Sequence, residues 1–363
     1  MFTGFQIQTA YIMIGENMQR SGNILKSKIN WPRVYVWFLI ALLLLASLFF
    51  VFLIKNKERN FKLALRSETS EVAPSAKEPF PVGVDPSRKL IVERPEVDSY
   101  LSKNLAYRME RPERKKFFGR LLASLYKQGW YQSLASSGSR VLVIYPGERK
   151  EEVAQNFAKI LGWSKGDKEA FSLLVSETAP TLPDGKFFPE RYVVNSNSTP
   201  GTVASLILEK FKGEISSRYP AKTEAVVPLS HTLVIASLLE REAYDFTDMR
   251  IISGIIWNRL FIDMPLQIDA TLQYVNGTQS ATAWWPKVRT RDKFLDSPFN
   301  TYQNEGLPPS PIANPSLDAI LAALNPAKTD CLFYFHDDEQ VFHCSQTYEE
   351  HVAKLKEIYG RGK

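Results

Sequence analysis

The sequence has little of what metal and disulfide chemistry needs. Two cysteines in 363 residues exclude a disulfide-dense scaffold and any zinc site built from four cysteines. The four histidines, His231, His336, His343 and His351, fall at no metal-ligand spacing, and no H-E-x-x-H motif occurs. No metal and no cofactor is therefore expected. A large excess of one sign of charge is also lacking: 45 Lys+Arg stand against 39 Asp+Glu, a net +6. That excess suits an acidic polymer or an anionic lipid but is too small to argue for nucleic acid. No exact internal repeat is present. With 44% hydrophobic and 23% charged residues, the chain is neither a disordered polymer nor a polytopic membrane protein. Its length leaves room for about two folded units.

One run stands out. Residues 34–54, VYVWFLIALLLLASLFFVFLI, carry no charge and are bounded by Arg33 and Lys55. As a helix rising about 1.5 Å per residue, the run spans a hydrocarbon core of about 30 Å. Trp31, Tyr35 and Trp37 cluster at one end, where aromatic rings favour the headgroup zone. The run is too long for a signal-peptide core, and charged Lys55-Asn56-Lys57-Glu58-Arg59 replaces the small residues of a cleavage site. An uncleaved anchor is expected. Arg20, Lys26, Lys28 and Arg33 before the run balance Lys55, Lys57, Arg59, Lys62 and Arg66 after it, so flanking charge does not set its orientation.

Beyond the anchor, residues 55–97 read as a linker, with scattered Ser, Pro and charge. Residues 98–135 turn helical in pattern, and 108–116 carry five cations in nine residues, a solvated helix face or an anionic-surface contact. A compact unit starts near Ser139. RVLVIY (140–145) predicts a strand, Pro146-Gly147 a turn and 151–161 an amphipathic helix. FFPERYVV predicts a second strand, and 200–211 a second helix.

From about Ala225 the sequence becomes dense in apolar and special residues. Ser230 is the expected N-cap of a helix over 231–243, HTLVIASLLEREA. On a 3.6-residue period Glu242 lies below Leu239, Leu238 and Ile235. A carboxylate sharing a face with three aliphatics is partly desolvated. Desolvation raises its pKa and keeps it protonated near neutrality, as a general acid requires. On periodicity alone a frayed, solvated helix end is the readier reading. Glu240 lies about 200° round the helix and points elsewhere. A second helix is expected over 248–260, capped by Thr247 and closed by Asn258-Arg259. MPLQIDAT (264–271) alternates polar with apolar. SPFNTY (297–302) leads into the proline-rich GLPPSPIANPS (306–316), where Asn314 and Pro315 are the expected cap and first residue of another helix.

Together ASLLEREA, SGIIWNRL, MPLQIDAT, SPFNTY, GLPPSPIANPS, AALNPAKTDCLFYF and TYEEH resemble the endolytic murein transglycosylase (YceG-like) family, in its order and at similar spacings. The resemblance covers about 140–363. It implies an α+β fold: a single N-terminal transmembrane helix, a small LysM-like β–α module and a mixed α+β catalytic domain. The expected domains are a cytoplasmic tail (1–33), the transmembrane helix (34–54), a linker and membrane-proximal helical region (55–138), the LysM-like module (139–224) and the catalytic domain (225–363). The implied location is the cytoplasmic (inner) membrane, with the catalytic domain outside the cytoplasm.

The implied reaction is non-hydrolytic cleavage of the MurNAc-β-1,4-GlcNAc bond of nascent glycan strands, leaving 1,6-anhydro-MurNAc ends. The second Glu of the family's E-[KR]-E signature falls on Glu242, which becomes the catalytic acid/base. The alternatives are a non-catalytic, membrane-tethered wall-binding scaffold, and a hydrolytic muramidase with Asp269 as second carboxylate. Gln267, Asp269, Asn300, Thr301, Tyr302, Pro308 and Asn314 are candidate substrate contacts. Each of these residue types also serves turns and caps. Glu240 and Arg259 are candidate supports of Glu242, with Arg241 or Arg259 as possible partners of Glu240. The implied partners are peptidoglycan glycan strands, membrane lipid through one helix, and peptidoglycan synthases, with no nucleic acid.

The sequence departs from the family's L-Q-T-D-P-T at Ile268 and Ala270, and the histidine of its H-x-F stretch has moved to His343. Only 140–163 resembles part of a LysM module. Cys331 and Cys344 flank a hairpin, CLFYF–HDDE–QVFHC. Pairing Phe335 with Gln340 sets the two opposite each other, so a disulfide is open, as are two buried thiols after a one-residue slip.

Overall fold

The computed structural model describes residues 35–49, 51, 52, 55, 78–93, 97, 99, 100, 138–177, 184–279 and 283–360. The expected tail over 1–33, the basic stretch 108–116 and most of the helical pattern over 98–135 lie outside the described residues. The chain divides into two units, 1–62 and 63–363. In the first, residues 35–49 are helical and every side chain is exposed, Trp37 by 70%. Among the described residues no helix is long and apolar enough to cross a membrane. The uncharged run 34–54 is described only in part.

The second unit holds two cores. The smaller lies in the expected module. Strands β3 (Ser139–Val143) and β4 (Arg191–Asn195) pair antiparallel, Val141 opposite Val193. Helices α1 (Lys150–Leu161), α2 (Lys165–Glu177) and α3 (Pro200–Glu214) belong to the same module. Leu142, Ile144, Phe157, Phe171, Phe187 and Ile207 form the core. Helix α1 stops at Gly162, whose φ of 70° favours glycine. Helix α2 was not expected from periodicity. It buries mainly Phe171, while Ser164 and Asp167 bond each other's backbone N–H to start it.

The larger core surrounds α5 (Leu229–Glu242), which follows the short α4 (Ala221–Val226). Residues 232–240 of α5 are buried without interruption, so the near-continuous apolar run marks a central helix rather than an amphipathic one. It starts earlier than expected. Pro228 is the N-cap, and the Glu224 carboxylate accepts from Leu229 N–H at 3.0 Å. Ser230 therefore sits inside the first turn. Helix α6 (Phe246–Phe261) is capped by Asp245, not Thr247, because the Asp245 carboxylate accepts from Asp248 N–H. Gly254 lets the 326–329 segment lie against α6: a Cβ there would stand 2.2 Å from the Ala327 carbonyl oxygen.

The alternating stretch 264–268 has no regular secondary structure and runs into α7 (Asp269–Gln279). Helix α8 (Leu317–Leu324) packs on α5 and α6 and is capped by Ser316. The expected Asn314–Pro315 start is displaced by two residues because Asn314 is fully engaged elsewhere. A hairpin of β5 (Phe333–His336) and β6 (Phe342–Ser345) precedes α9 (Tyr348–Tyr359). Its register pairs Phe335 with His343, not Gln340. The Asp337 carboxylate accepts from Glu339 and Val341 N–H and fixes a longer turn than the sequence suggested. Cys331 and Cys344 nonetheless form a disulfide, with Cα atoms 5.8 Å apart. Cys331 lies just outside the ladder, its N–H held by Thr329.

Residues 78–93, inside the stretch read as a linker, carry a small hairpin of β1 (Val84–Asp85) and β2 (Leu90–Ile91). Phe80, Val84 and Val97 enter the larger core. Gly83 N–H donates to the Leu324 carbonyl at 2.9 Å and Asn325 Nδ2 to the Pro81 carbonyl at 2.9 Å. Its prolines suit a strap that makes few backbone bonds of its own.

Candidate active site

Glu242 is the last residue of α5, half-buried where the helix meets α7 and β5. Ile235, Leu238 and Leu239 beneath it are buried, as the helical period requires. Its Oε2 accepts from the Tyr334 hydroxyl at 3.0 Å and its Oε1 from Ala270 N–H at 3.4 Å. Burial raises its pKa above the usual carboxylate value. The Tyr334 and Ala270 bonds oppose this, the Asp269 charge adds to it and Arg241 opposes it. Ala270 lies in the first turn of α7, where the helix end also favours a negative charge.

Asp269 and Gln267 are exposed beside this carboxylate. Tyr302 donates to Asp269 Oδ1 at 2.7 Å, and burial followed by that contact pushes its hydroxyl pKa up. Gln267 has a φ of 50°, a left-handed conformation that side chains other than Gly, Asn or Asp seldom adopt. Its N–H donates to the Thr301 carbonyl at 2.9 Å.

The other expected contacts face inward. Asn300 is buried, with Nδ2 donating to the Lys293 and Leu295 carbonyls and Oδ1 accepting from Tyr302 N–H. Thr301 Oγ1 accepts from Ile268 N–H at 2.9 Å. Asn300 braces the 297–302 turn on the 293–295 backbone, and Thr301 straps it to the start of α7, which together place Tyr302 beside Asp269. Pro308 is buried in its loop, which is tied to α5 where Ile312 N–H donates to Ser237 Oγ at 3.0 Å. Asn314 is buried and joins the two cores. Its Oδ1 accepts from Gly185 and Phe187 N–H, and its Nδ2 donates to the Glu148 carbonyl.

Glu240 points away from Glu242, as the 200° separation predicts. Its Oε2 accepts from the Ser316 hydroxyl at 2.6 Å and from Ser316 N–H at 3.0 Å, which ties α5 to the start of α8. Arg259 donates to three carbonyls: Leu332 at 2.6 Å, Leu266 at 2.6 Å and Pro265 at 3.3 Å. It thereby clamps the segments that deliver Tyr334 and Ala270. His343 lies in the hairpin against Asp337 at 2.8 Å.

Tyr334 was not foreseen. Its one signal is a tyrosine within the apolar LFYF strand, where a phenol needs a polar partner once buried. The sequence marks Arg241 only as a possible partner of Glu240. Its guanidinium also lies 3.9 Å from the centre of the Trp285 ring.

One carboxylic acid with a raised pKa, oriented from two sides beside an exposed carboxylate–tyrosine pair, defines an α+β protein equipped for acid–base chemistry. A profile of the YceG-like family matches residues 112–357, and the chain belongs to that family. Two relatives bear the name endolytic murein transglycosylase. That of Streptococcus pneumoniae serotype 2 is 31% identical over 175 residues, 48% of this chain and 32% of its own. That of Bacillus subtilis is 34% identical over 179 residues, 48% of each chain. The matched part thus spans a third to a half of these relatives. A crystal structure of a yceG-like protein from Listeria monocytogenes shares the fold, with a TM-score of 0.52 at 22% identity, covering 77% of this chain and 98% of the other.

Proposed function

We propose that this chain is a membrane-anchored lytic transglycosylase that cuts glycan strands of peptidoglycan between MurNAc and GlcNAc, with Glu242 as acid and base. The observation that carries this is the half-buried Glu242 carboxylate with its raised pKa. Protonated Glu242 donates its proton to the bridging glycosidic oxygen as the bond from that oxygen to the muramoyl C1 breaks. The muramoyl 6-hydroxyl then attacks C1, and its proton passes to the Glu242 carboxylate. The new O6–C1 bond closes the 1,6-anhydro ring and the acid is regenerated. An intramolecular nucleophile replaces both the water and the second carboxylate of a glycosidase. Tyr334 and Ala270 N–H fix the carboxylate's orientation. Gln267, Asp269 and Tyr302 are exposed or half-buried where the sugars would lie, and Asn300, Thr301, Pro308 and Asn314 hold those walls in place.

The names of the two relatives support the substrate. The exposed apolar helix over 35–49 supports an anchor over 34–54: such a surface is costly in water and suited to lipid. The two-strand, multi-helix unit over 139–224 supports a LysM-like module that contacts glycan. On this reading the 225–363 domain lies outside the cytoplasm, where peptidoglycan synthases would be its neighbours.

A second reading, hydrolytic cleavage, draws on Asp269, whose charge acts on Glu242. Digestion of purified peptidoglycan followed by mass spectrometry separates the two. Anhydro ends, one water lighter than hydrolytic ones, support the first; reducing ends support hydrolysis. Glu242→Gln should lower turnover by at least about 100-fold with an unchanged circular dichroism spectrum. An active Glu242→Gln protein sinks the assignment, and a wild type that binds glycan without cutting it indicates a scaffold.

A further inference from the structure

Residues 283–296, ahead of the 297–302 turn, have no part in the acid–base step, yet they are held to the Glu242 site at two places. At one, Trp285 stacks under the guanidinium of Arg241, the residue before Glu242. At the other, Lys293 Nζ lies 4.7 Å from the centre of the Tyr302 ring, and Tyr302 bonds Asp269. The Lys293 carbonyl is gripped by Asn300 Nδ2 and Gln303 Nε2. Between these anchors the sequence is Lys287-Val288-Arg289-Thr290-Arg291-Asp292-Lys293, four cations against one acid. Asp292 is buried: its Oδ2 accepts from Arg289 N–H at 2.8 Å, and its Oδ1 lies 3.9 Å from Arg291 Nε. Its carboxylate thus shapes the loop from inside while Lys287, Arg289 and Arg291 project into solvent.

We propose that this basic rim binds the carboxylates of the stem peptides carried by the glycan strand. The inference rests on the reading of Glu242 as a peptidoglycan-cleaving acid. A strand lying across Glu242 would run past both anchors of the loop, which brings the peptides on neighbouring muramoyl residues against the three exposed cations. Charge complementarity across a solvated rim contributes through capture more than through chemistry. The rim is therefore expected to set KM and to leave kcat little changed.

The test compares wild type with the Lys287→Ala/Arg289→Ala/Arg291→Ala protein on peptide-bearing strands and on strands stripped of peptide. These side chains are exposed, so the fold should persist. Wild type should prefer peptide-bearing strands, and the triple variant should lose about tenfold of that preference, through KM. An unchanged preference in the variant overturns the proposal. So does loss of binding to phosphatidylglycerol vesicles with the preference intact, which would assign the rim, with its 76% exposed Phe294, to a lipid surface. Strand sedimentation with Glu242→Gln protein, with and without the three alanines, reads binding without cleavage. Charge-dependent binding there upholds the rim even if the wild type cuts neither strand, a result that would instead overturn the reaction.

Discussion

At the Glu242 carboxylate, burial and hydrogen bonding pull in opposite directions, and burial wins. The acid must be protonated to serve the leaving oxygen, so the balance sets the alkaline limb of kcat/KM. Tyr334 favours the ionised form through its 3.0 Å bond. Tyr334→Phe should therefore raise the Glu242 pKa and move that limb to higher pH. It should also lower kcat about 10- to 100-fold, the worth of one hydrogen bond to a charged group. Asp269→Asn removes a neighbouring negative charge and should move the limb the other way. A full pH–rate series on both variants reads the two signs. Parallel shifts in the same direction would refute the account of the site. Glu242 was legible from the family's E-[KR]-E signature, with its helical period in agreement, because both lie within its own helix. Tyr334 was not, because it arrives from 92 residues away, and nothing local to β5 marks which face meets the carboxylate.

Among the elements, the hairpin carries the next consequence. Tyr334 stands opposite Cys344 in the register, and the Cys331–Cys344 disulfide closes the β5–β6 pair over a separation of 13 residues. Closing a loop of that size restricts the unfolded chain, for about 2–3 kcal/mol. Reduction, or Cys331→Ser with Cys344→Ser, should lower the thermal midpoint and also depress turnover, since the strand that presents Tyr334 loosens. Thermal melts and activity with and without a thiol reductant check this. The double-serine protein should be indifferent to the reductant. Helix ends show why boundaries were harder to read than helices. Ser230, Thr247 and Asn314 are all good caps by type, yet Pro228, Asp245 and Ser316 hold those positions. Asn314 was unavailable because the opposite module had claimed both ends of its amide.

Across the whole second unit, the two cores meet at a buried polar junction. Arg149, 1% exposed, leaves the β3–α1 turn of the module. It donates to the Tyr274 carbonyl on α7 at 3.0 Å and lies 4.1 Å from the centre of that ring. Asp184, fully buried, accepts from Lys150 N–H at 2.7 Å and from the Tyr274 hydroxyl at 3.2 Å. Burial, followed by the charge of Glu151, pushes its pKa up from 3.8 to about 7. A folded pKa above the unfolded one means stability present below the unfolded value and lost as pH rises through the folded one. The junction should weaken between about pH 4 and pH 8. Asp184→Asn should lose less thermal stability than wild type over that interval. A melt series in which both proteins lose equal amounts would show that Asp184 does not titrate there. Since α7 also supplies Ala270 to Glu242, this junction couples the module to the site.

The sequence by itself determined the apolar run over 34–54, the central helix ending in Glu242, the two-strand module and the family that its spaced motifs resemble. Each is written in local periodicity or in the order of short segments, which survive without knowledge of the fold. Tertiary structure alone decided that a stretch read as linker straps the larger core and which register the cysteine hairpin takes. It also decided that Asn314 joins two modules, and that Tyr334 and Ala270 converge on one acid. Those facts depend on which distant backbone groups remain unsatisfied once the cores have packed, and no window of the chain contains both partners.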